Sequence, residues 1–260
     1  MNHRLVIFTG KGGVGKTTLS MAYVKYLEST GKKVLYNCFH QIPDRDMIKS
    51  LAVPILDITV EQSAEIYIGR KLNSKTIASW IMHTHFFKSL FQMIPGLGHM
   101  ILLGHILNEL EADQELTIVM DSPASGHALT MFESSSNFKK IFKTGLIVKD
   151  IEKMRSFLED EKFLKTYIVT LPSEMAIQEA KDLKQEIQSI YKNAEIILNN
   201  SLKKYLDEHN VKREELPHFL QAKLDFENLV TEETFTLPFI PVNDISKVVS
   251  LIRPMLGGLE

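Results

Sequence analysis

Phe8-Thr9-Gly10-Lys11-Gly12-Gly13-Val14-Gly15-Lys16-Thr17-Thr18 follows an apolar run, Leu5-Val6-Ile7-Phe8, and precedes a helical pattern over about 18–30. The run reads as a buried strand, so the segment is a strand-to-helix turn. Its spacing fits G-x-x-x-x-G-K-[ST], the phosphate-binding P-loop. In that geometry successive backbone N–H groups wrap phosphate oxygens, and the following helix aims its N-terminus at them. Gly10, Gly12, Gly13 and Gly15 let the backbone come close, and Val14 and Thr18 belong to the same cradle. Lys16 is placed to reach the β- and γ-phosphates of ATP or the β-phosphate of ADP, and the Thr17 hydroxyl to bind Mg²⁺. The strand before and the helix after separate such a loop from an accidental Gly-rich turn.

Outward from this turn, 260 residues suffice for one large α/β domain with a full core. The composition, 44% hydrophobic and 24% charged, is that of a soluble globular protein. A formal charge of −2 gives no general attraction to nucleic acid or anionic lipid, so no nucleic-acid partner is expected. The single cysteine, Cys38, excludes an intramolecular disulfide and a Cys-based zinc cluster within one chain. The N-terminus enters the first strand without the charged and apolar regions of a signal peptide. No apolar run approaches the ~18 residues of a membrane span. A cytoplasmic protein is expected.

Beyond the first helix, 31–33 reads as a turn and Val34-Leu35-Tyr36-Asn37-Cys38-Phe39 as the second strand. Strand, helix and strand with short joins make a βαβ unit, hence a parallel sheet with a right-handed crossover. Residues 40–46 form a polar loop with Pro43. From Met47 to Asp113 the spacing is helical, and 75–110 is rich in large apolar side chains, among them Trp80, Phe86, Phe87, Phe91, Met93, Met100 and Ile106. Pro95-Gly96-Leu97-Gly98 divides this region into two helices. A helical insertion after the second strand, about 47–113, fits. Its apolar faces either pack on each other and on the domain, the commoner outcome, or leave an adaptable Met-rich surface for an apolar client.

Glu115-Leu116-Thr117-Ile118-Val119-Met120-Asp121 reads as the next strand. An acidic residue at the carboxyl end of an apolar strand is the Walker B arrangement, in which Asp121 holds Mg²⁺ directly or through water. Ligands of open α/β sheets bind outside the carboxyl ends of the strands, so the loop Ser122–His127 falls beside the P-loop. Downstream come a polar stretch over 133–145, a helix over about 149–161 and a strand over 165–171 ended by Pro172. A long helix over about 173–192 has Ser173 as its N-cap. A strand over 194–199, charged and mostly solvated helix over 202–229, a short final strand or extended segment over 235–240, and a last helix capped by Asp244 complete the chain. This alternation gives a doubly wound α/β fold with a mainly parallel sheet, one domain over 1–260 carrying the helical insertion.

Several pieces together resemble the ArsA-like anion-transporting ATPases, a group with a deviant Walker A loop. Lys11 resembles their signature lysine, which crosses a dimer interface to the partner's nucleotide. A cation supplied in trans neutralises charge developing during phosphoryl transfer. Asp121-Ser122-Pro123-Ala124-Ser125-Gly126-His127-Ala128-Leu129 is similar to the family's second switch, D-T-A-P-T-G-H-T-L, shifted by one residue before the proline. Ile94-Pro95-Gly96-Leu97 resembles a turn of its helical subdomain, and Thr170-Leu171-Pro172-Ser173-Glu174 a strand exit. Ile197-Leu198-Asn199-Asn200 resembles the V-V-N-x whose asparagine recognises adenine, and Pro238 sits where a late proline loop covers the base. The resemblance runs from Leu5 to about Leu256. It implies an Mg²⁺-dependent, ATP-driven switch in which two subunits sandwich two nucleotides. One ATPase unit per chain then implies a homodimer, or a heterodimer with a similar subunit, and a client or membrane-associated partner.

Three departures from the family pattern matter. The first switch normally reads S-T-D-P-A, with an aspartate that positions the attacking water. Here His40 stands nearest that place and Asp44 follows four residues later. A neutral histidine can orient water, whereas a protonated one is a poor substitute. Cys38, on an apolar strand position, reads as a buried structural thiol, so arsenite activation is not expected. The C-x-x-C pair that zinc-bridges the tail-anchor targeting dimer is absent, so no zinc is expected. His83, His85, His99 and His105 do not pair on one helical turn as a metal site needs. His127, in the second switch, is either a relay to the helical region or a surface histidine.

Two functions follow from different weightings of these features. One is a self-sufficient dimeric ATPase with Lys11, Lys16, Asp121 and His40 as catalytic residues. The other is a nucleotide-binding subunit that hydrolyses weakly and pairs with a catalytic homologue. A ParA-like positioning ATPase on DNA or membrane would need a basic patch or tail. The ending Arg253-Pro254-Met255-Leu256-Gly257-Gly258-Leu259-Glu260 is too short and too weakly basic for that.

Overall fold

The computed structural model describes residues 3–39, 41, 42, 44–85, 87, 89, 93, 94, 96–123, 146–230 and 234–259. Its strands are β1 (Leu5–Thr9), β2 (Lys33–Asn37), β3 (Leu116–Asp121), β4 (Leu164–Thr170), β5 (Ala194–Ser201) and β6 (Phe235–Pro238). They form one sheet in the order β2-β3-β1-β4-β5-β6, and every neighbouring pair is parallel. From β1 the chain goes to the edge strand β2, returns to β3 beside β1, and then crosses to β4, β5 and β6 on the other side, so the carboxyl ends of β1 and β3 lie at the topological switch point where α/β sheets open a ligand crevice.

Strands buried on both faces explain the near-continuous apolar runs. Alternation assigns each side chain to a layer. Leu5, Ile7, Leu116, Ile118, Met120, Leu164 and Ile168 share one core. Val6, Phe8, Val119, Tyr167, Val169, Ile197 and Leu237 share the other. Helix α1 (Lys16–Ser29) packs on the second face through Leu19, Val24 and Leu27, joined there by α2 (Arg45–Ser50) and, near the C-terminus, α10 (Ile245–Ile252). The first face carries α5 (Leu97–Ala112), α6 (Leu146–Glu159) and α7 (Glu174–Gln188). These two helical layers make the fold doubly wound, a P-loop NTPase-like α/β architecture.

The helical stretch between β2 and β3 divides in space. Met47 and Ile48 of α2 join the core under α1. Residues 53–56 run beside β2, with Tyr36 N donating to the Pro54 carbonyl at 2.7 Å and Leu56 N to the Tyr36 carbonyl at 2.8 Å. They partner an otherwise open sheet edge. Helix α3 (Val60–Leu72) starts with a capping box, Thr59 and Gln62 exchanging bonds, and packs against α4 (Lys75–His83) and α5. Helix α5 begins at Gly96, whose φ of 78° only glycine adopts freely, and buries Leu102, Leu103, Ile106 and Leu110 against the sheet. Ile77 and Trp80 of α4, by contrast, are exposed. Phe86, Leu90, Phe91 and Pro95 lie outside the described residues.

Some boundaries differ from those expected. Strand β2 ends at Asn37, because the Asn37 side chain accepts from Phe39 N and turns the chain there, with Phe39 at φ 31°. Ser173 precedes α7 but makes no side-chain cap bond. The last helix tightens at Arg253 into a 3₁₀ turn to Leu259. The region 202–229 is less solvated than its charge suggests. Helices α8 (Leu202–His209) and α9 (His218–Val230) enclose a small core of Leu202, Leu206 and Leu224, and Glu227 is fully buried. Among the described residues no helix is long and apolar enough to cross a membrane.

Candidate functional site

The carboxyl ends of β1 and β3 lie side by side, with Phe8 level with Asp121. The loop after β1 therefore opens over the end of β3. Three of its glycines, Gly10, Gly13 and Gly15, have positive φ. Gly10 is required twice over. Its φ is 136°, and a Cβ there would meet the Val169 carbonyl oxygen of β4 at 2.2 Å. The loop so held delivers α1 with Gly15 at its N-cap, and the first turn of that helix carries Lys16 and Thr17.

Lys16 is 9% exposed, and its Nζ donates to the Lys11 carbonyl at 2.8 Å, so the ammonium lies across the loop. Burial pushes its pKa down, and Asp121 pulls it back up. Thr17 Oγ1 donates to Asp121 Oδ2 at 2.6 Å. Asp121 is 2% exposed, and its Oδ1 is buried without a hydrogen-bond partner among the described residues. Burial raises the Asp121 pKa, opposed by the bonds from Thr17 and Tyr36 and by Lys16. An unpartnered buried carboxylate oxygen beside a threonine hydroxyl is a hard-oxygen donor set. It suits Mg²⁺, which takes one or two protein oxygens and completes its shell with phosphate and water. Among the described residues no group of three or more His, Cys, Asp or Glu could hold a metal ion by itself.

Asn199 is brought onto the same loop from β5. Its Nδ2 donates to the Val14 carbonyl at 2.9 Å, and a Cβ on Gly15 would approach that nitrogen to 2.5 Å. Pro238 is buried at the end of β6, paired with Ser201 of β5. Thus Gly10 through Thr18, Asp121 and Asn199 converge, with Pro238 one strand beyond. Lys11 points away from the loop, and its Nζ pairs with Glu179 of α7 at 2.8 Å on the surface. His40 and His127 lie outside the described residues, as does most of the second switch. Asp44 is committed elsewhere, capping α2 by accepting from Met47 N at 2.9 Å. Cys38 departs from the expectation. It lies beyond the end of β2, is only half-buried, and its thiol donates to the Gln41 carbonyl. Burial still pushes its pKa up.

Three groups at the site had no signal in the sequence. Gln41 Nε2 donates to the Asp121 carbonyl at 2.9 Å, closing the loop after β2 over the end of β3. Tyr36 OH donates to Asp121 Oδ2 at 3.0 Å. Glu179 holds Lys11. Each acts across more than 75 residues, so only sheet register reveals it.

A second concavity lies on the opposite layer. A cleft of about 550 Å³ opens between α3, α5 and α6, walled by Ile66, Ile101, Leu107, Met154 and Phe157, with Arg70 and Lys71 also lining it.

A parallel sheet, a glycine-rich loop at its switch point and a Lys–Thr–Asp constellation define a P-loop nucleotide-binding protein. A family model described as anion-transporting ATPase (ArsA_ATPase) matches residues 3–39, the strand, loop, helix and second strand just described. A curated relative from Aquifex aeolicus (strain VF5), named as an arsenical pump-driving ATPase 1, is 23% identical over 173 residues. That match covers 57% of this chain and 43% of the relative, so the chain spans less than half the relative's length. The two matches support an ArsA-like family for this chain.

Proposed function

We propose that this chain is an Mg²⁺-dependent ATP-binding and ATP-hydrolysing switch of the ArsA-like group, acting as a dimer. The observation that carries the reading is the convergence of Lys16, Thr17 and Asp121, with Asp121 Oδ1 left buried and unpartnered. The backbone N–H groups of the loop and the N-terminus of α1 bind the phosphates. Lys16 would exchange the Lys11 carbonyl for the β- and γ-phosphate oxygens, and Thr17 and Asp121 would hold the ion. Bound Mg²⁺ supplies charge neutralisation on the β- and γ-phosphates. Asn199, already on the loop, faces the base side, with Pro238 beyond it. Lys11 serves the partner's nucleotide. Its surface pair with Glu179 is of the exposed kind worth only about 0–1 kcal/mol, so releasing it costs little. The apolar cleft and the exposed Ile77 and Trp80 support a helical region that takes an apolar segment of a client protein.

A second reading keeps nucleotide binding and removes efficient turnover, making the chain a subunit for a catalytic homologue. It is favoured by the loop after β2, where no aspartate stands at the water-positioning place and Asp44 caps a helix instead. Steady-state ATP hydrolysis and ATP binding with Mg²⁺, beside Lys16→Ala, separate the two. Turnover that falls at least about 100-fold in Lys16→Ala is expected for the ATPase. Binding without turnover supports the subunit, and neither binding nor turnover sinks both.

A further inference from the structure

We propose that Tyr36 is a positioning residue for the magnesium site, its hydroxyl fixing the Asp121 carboxylate so that Oδ1 is the oxygen presented to the ion. This inference rests on the nucleotide reading above and adds to it a group that the P-loop and Walker B patterns do not contain.

The geometry is specific. Among the described residues Asp121 Oδ2 accepts two hydrogen bonds, from Thr17 Oγ1 at 2.6 Å and from Tyr36 OH at 3.0 Å, while Oδ1 accepts none. Thr17 alone is a weak orienter, because its hydroxyl must also offer a lone pair to the same ion. A second donor from a different direction removes that ambiguity. Tyr36 can serve because it cannot move. Its side chain is 1% exposed, and its backbone N–H and carbonyl are both bonded to residues 54 and 56. The phenol also lies against Ser20 of α1, one turn beyond Thr17. The ring therefore ties α1, β2 and β3 together at the metal-facing end of the sheet. Register explains its reach: Tyr36 is level with Val119, so Asp121 is its diagonal neighbour on the same face, within range of a long aromatic side chain.

Groups that orient a metal's ligands typically affect affinity 10–100-fold. The test is a pair of titrations on wild type and Tyr36→Phe, which keeps the ring and removes only the donor. ATP affinity is measured calorimetrically in EDTA, and Mg²⁺ is then titrated into protein saturated with ATP. Expected is an Mg²⁺ half-saturation concentration raised about 10–100-fold, with ATP affinity in EDTA unchanged within about 2-fold. An Mg²⁺ half-saturation within about 2-fold of wild type overturns the proposal. So does an equal loss of ATP affinity with and without Mg²⁺, which would mark Tyr36 as mere packing. Thermal melting without ligand reports folding, and Tyr36→Met provides a second apolar replacement should Tyr36→Phe unfold. If the wild type binds no ATP under either condition, the nucleotide reading itself falls and Tyr36's role with it.

Discussion

Gly10 and Gly12 stand two residues apart in one loop and answer to different physics. Gly10 combines a φ of 136° with a carbonyl oxygen where its Cβ would be. Gly12 has nothing within 4 Å of that position. Gly10→Ala therefore costs about 2–4 kcal/mol through strain and overlap against β4. Gly12→Ala changes ligand-free stability by less than about 0.5 kcal/mol. Urea unfolding of both variants without nucleotide checks the contrast, and equal destabilisation would contradict it. The first glycine of the motif is thus a packing requirement of the fold itself. Asp121 shows the same doubling, its Oδ2 spent on holding α1 and β2 and its Oδ1 held back.

At the scale of elements, the two edges of the crevice are built differently. The P-loop edge is local, strand and helix joined by one turn. The edge bearing Asn199 needs β5, α8, α9 and β6 to meet. Glu227 of α9 is the clasp: its carboxylate accepts from Ser201 Oγ at 2.9 Å, Leu202 N at 3.1 Å and Lys203 N at 2.9 Å. A carboxylate at the start of α8 satisfies free N–H groups and complements the helix dipole. Glu227→Leu would leave those donors buried and unmet, at a cost of about 2–4 kcal/mol. Denaturant melts should show that loss. A change below about 1 kcal/mol would mean that water replaces the clasp.

For the molecule as a whole, the layer bearing the cleft carries a pH dependence. His105 of α5 is 7% exposed. Burial, the larger cause, pushes its pKa below 6.5; Arg70 adds to that, and Glu109 at 3.6 Å opposes it. A histidine whose folded-state pKa is depressed contributes stability that is fully present above the unfolded value. That stability is lost as pH falls through the folded value. Melting temperature should therefore fall as pH drops from 7.5 to 5, and His105→Gln should flatten the slope. His3 is depressed in the same direction, by burial and by Lys165, so some slope remains. An unchanged slope in His105→Gln would place the acid sensitivity elsewhere.

The sequence by itself determined what depends on near neighbours along the chain. The P-loop, the acidic end of β3, Asn199 and the six strands are legible because each is a short pattern with a local physical cause. The apolar runs specify strands, the glycines specify the turn, and the alternation of strands and helices specifies a parallel sheet. Only the tertiary structure decided which strand lies beside which, because the order β2-β3-β1-β4-β5-β6 reflects how apolar faces are shared across the sheet. That order places Asp121 against the P-loop, Tyr36 diagonal to Asp121 and Glu179 beside Lys11. Glu227 looked like one charge among many over 202–229, yet it is sealed under α8. In each case the partner is distant in sequence, and for Tyr36 and Glu227 the bond also lies in an interior that excludes water, which no local pattern can encode.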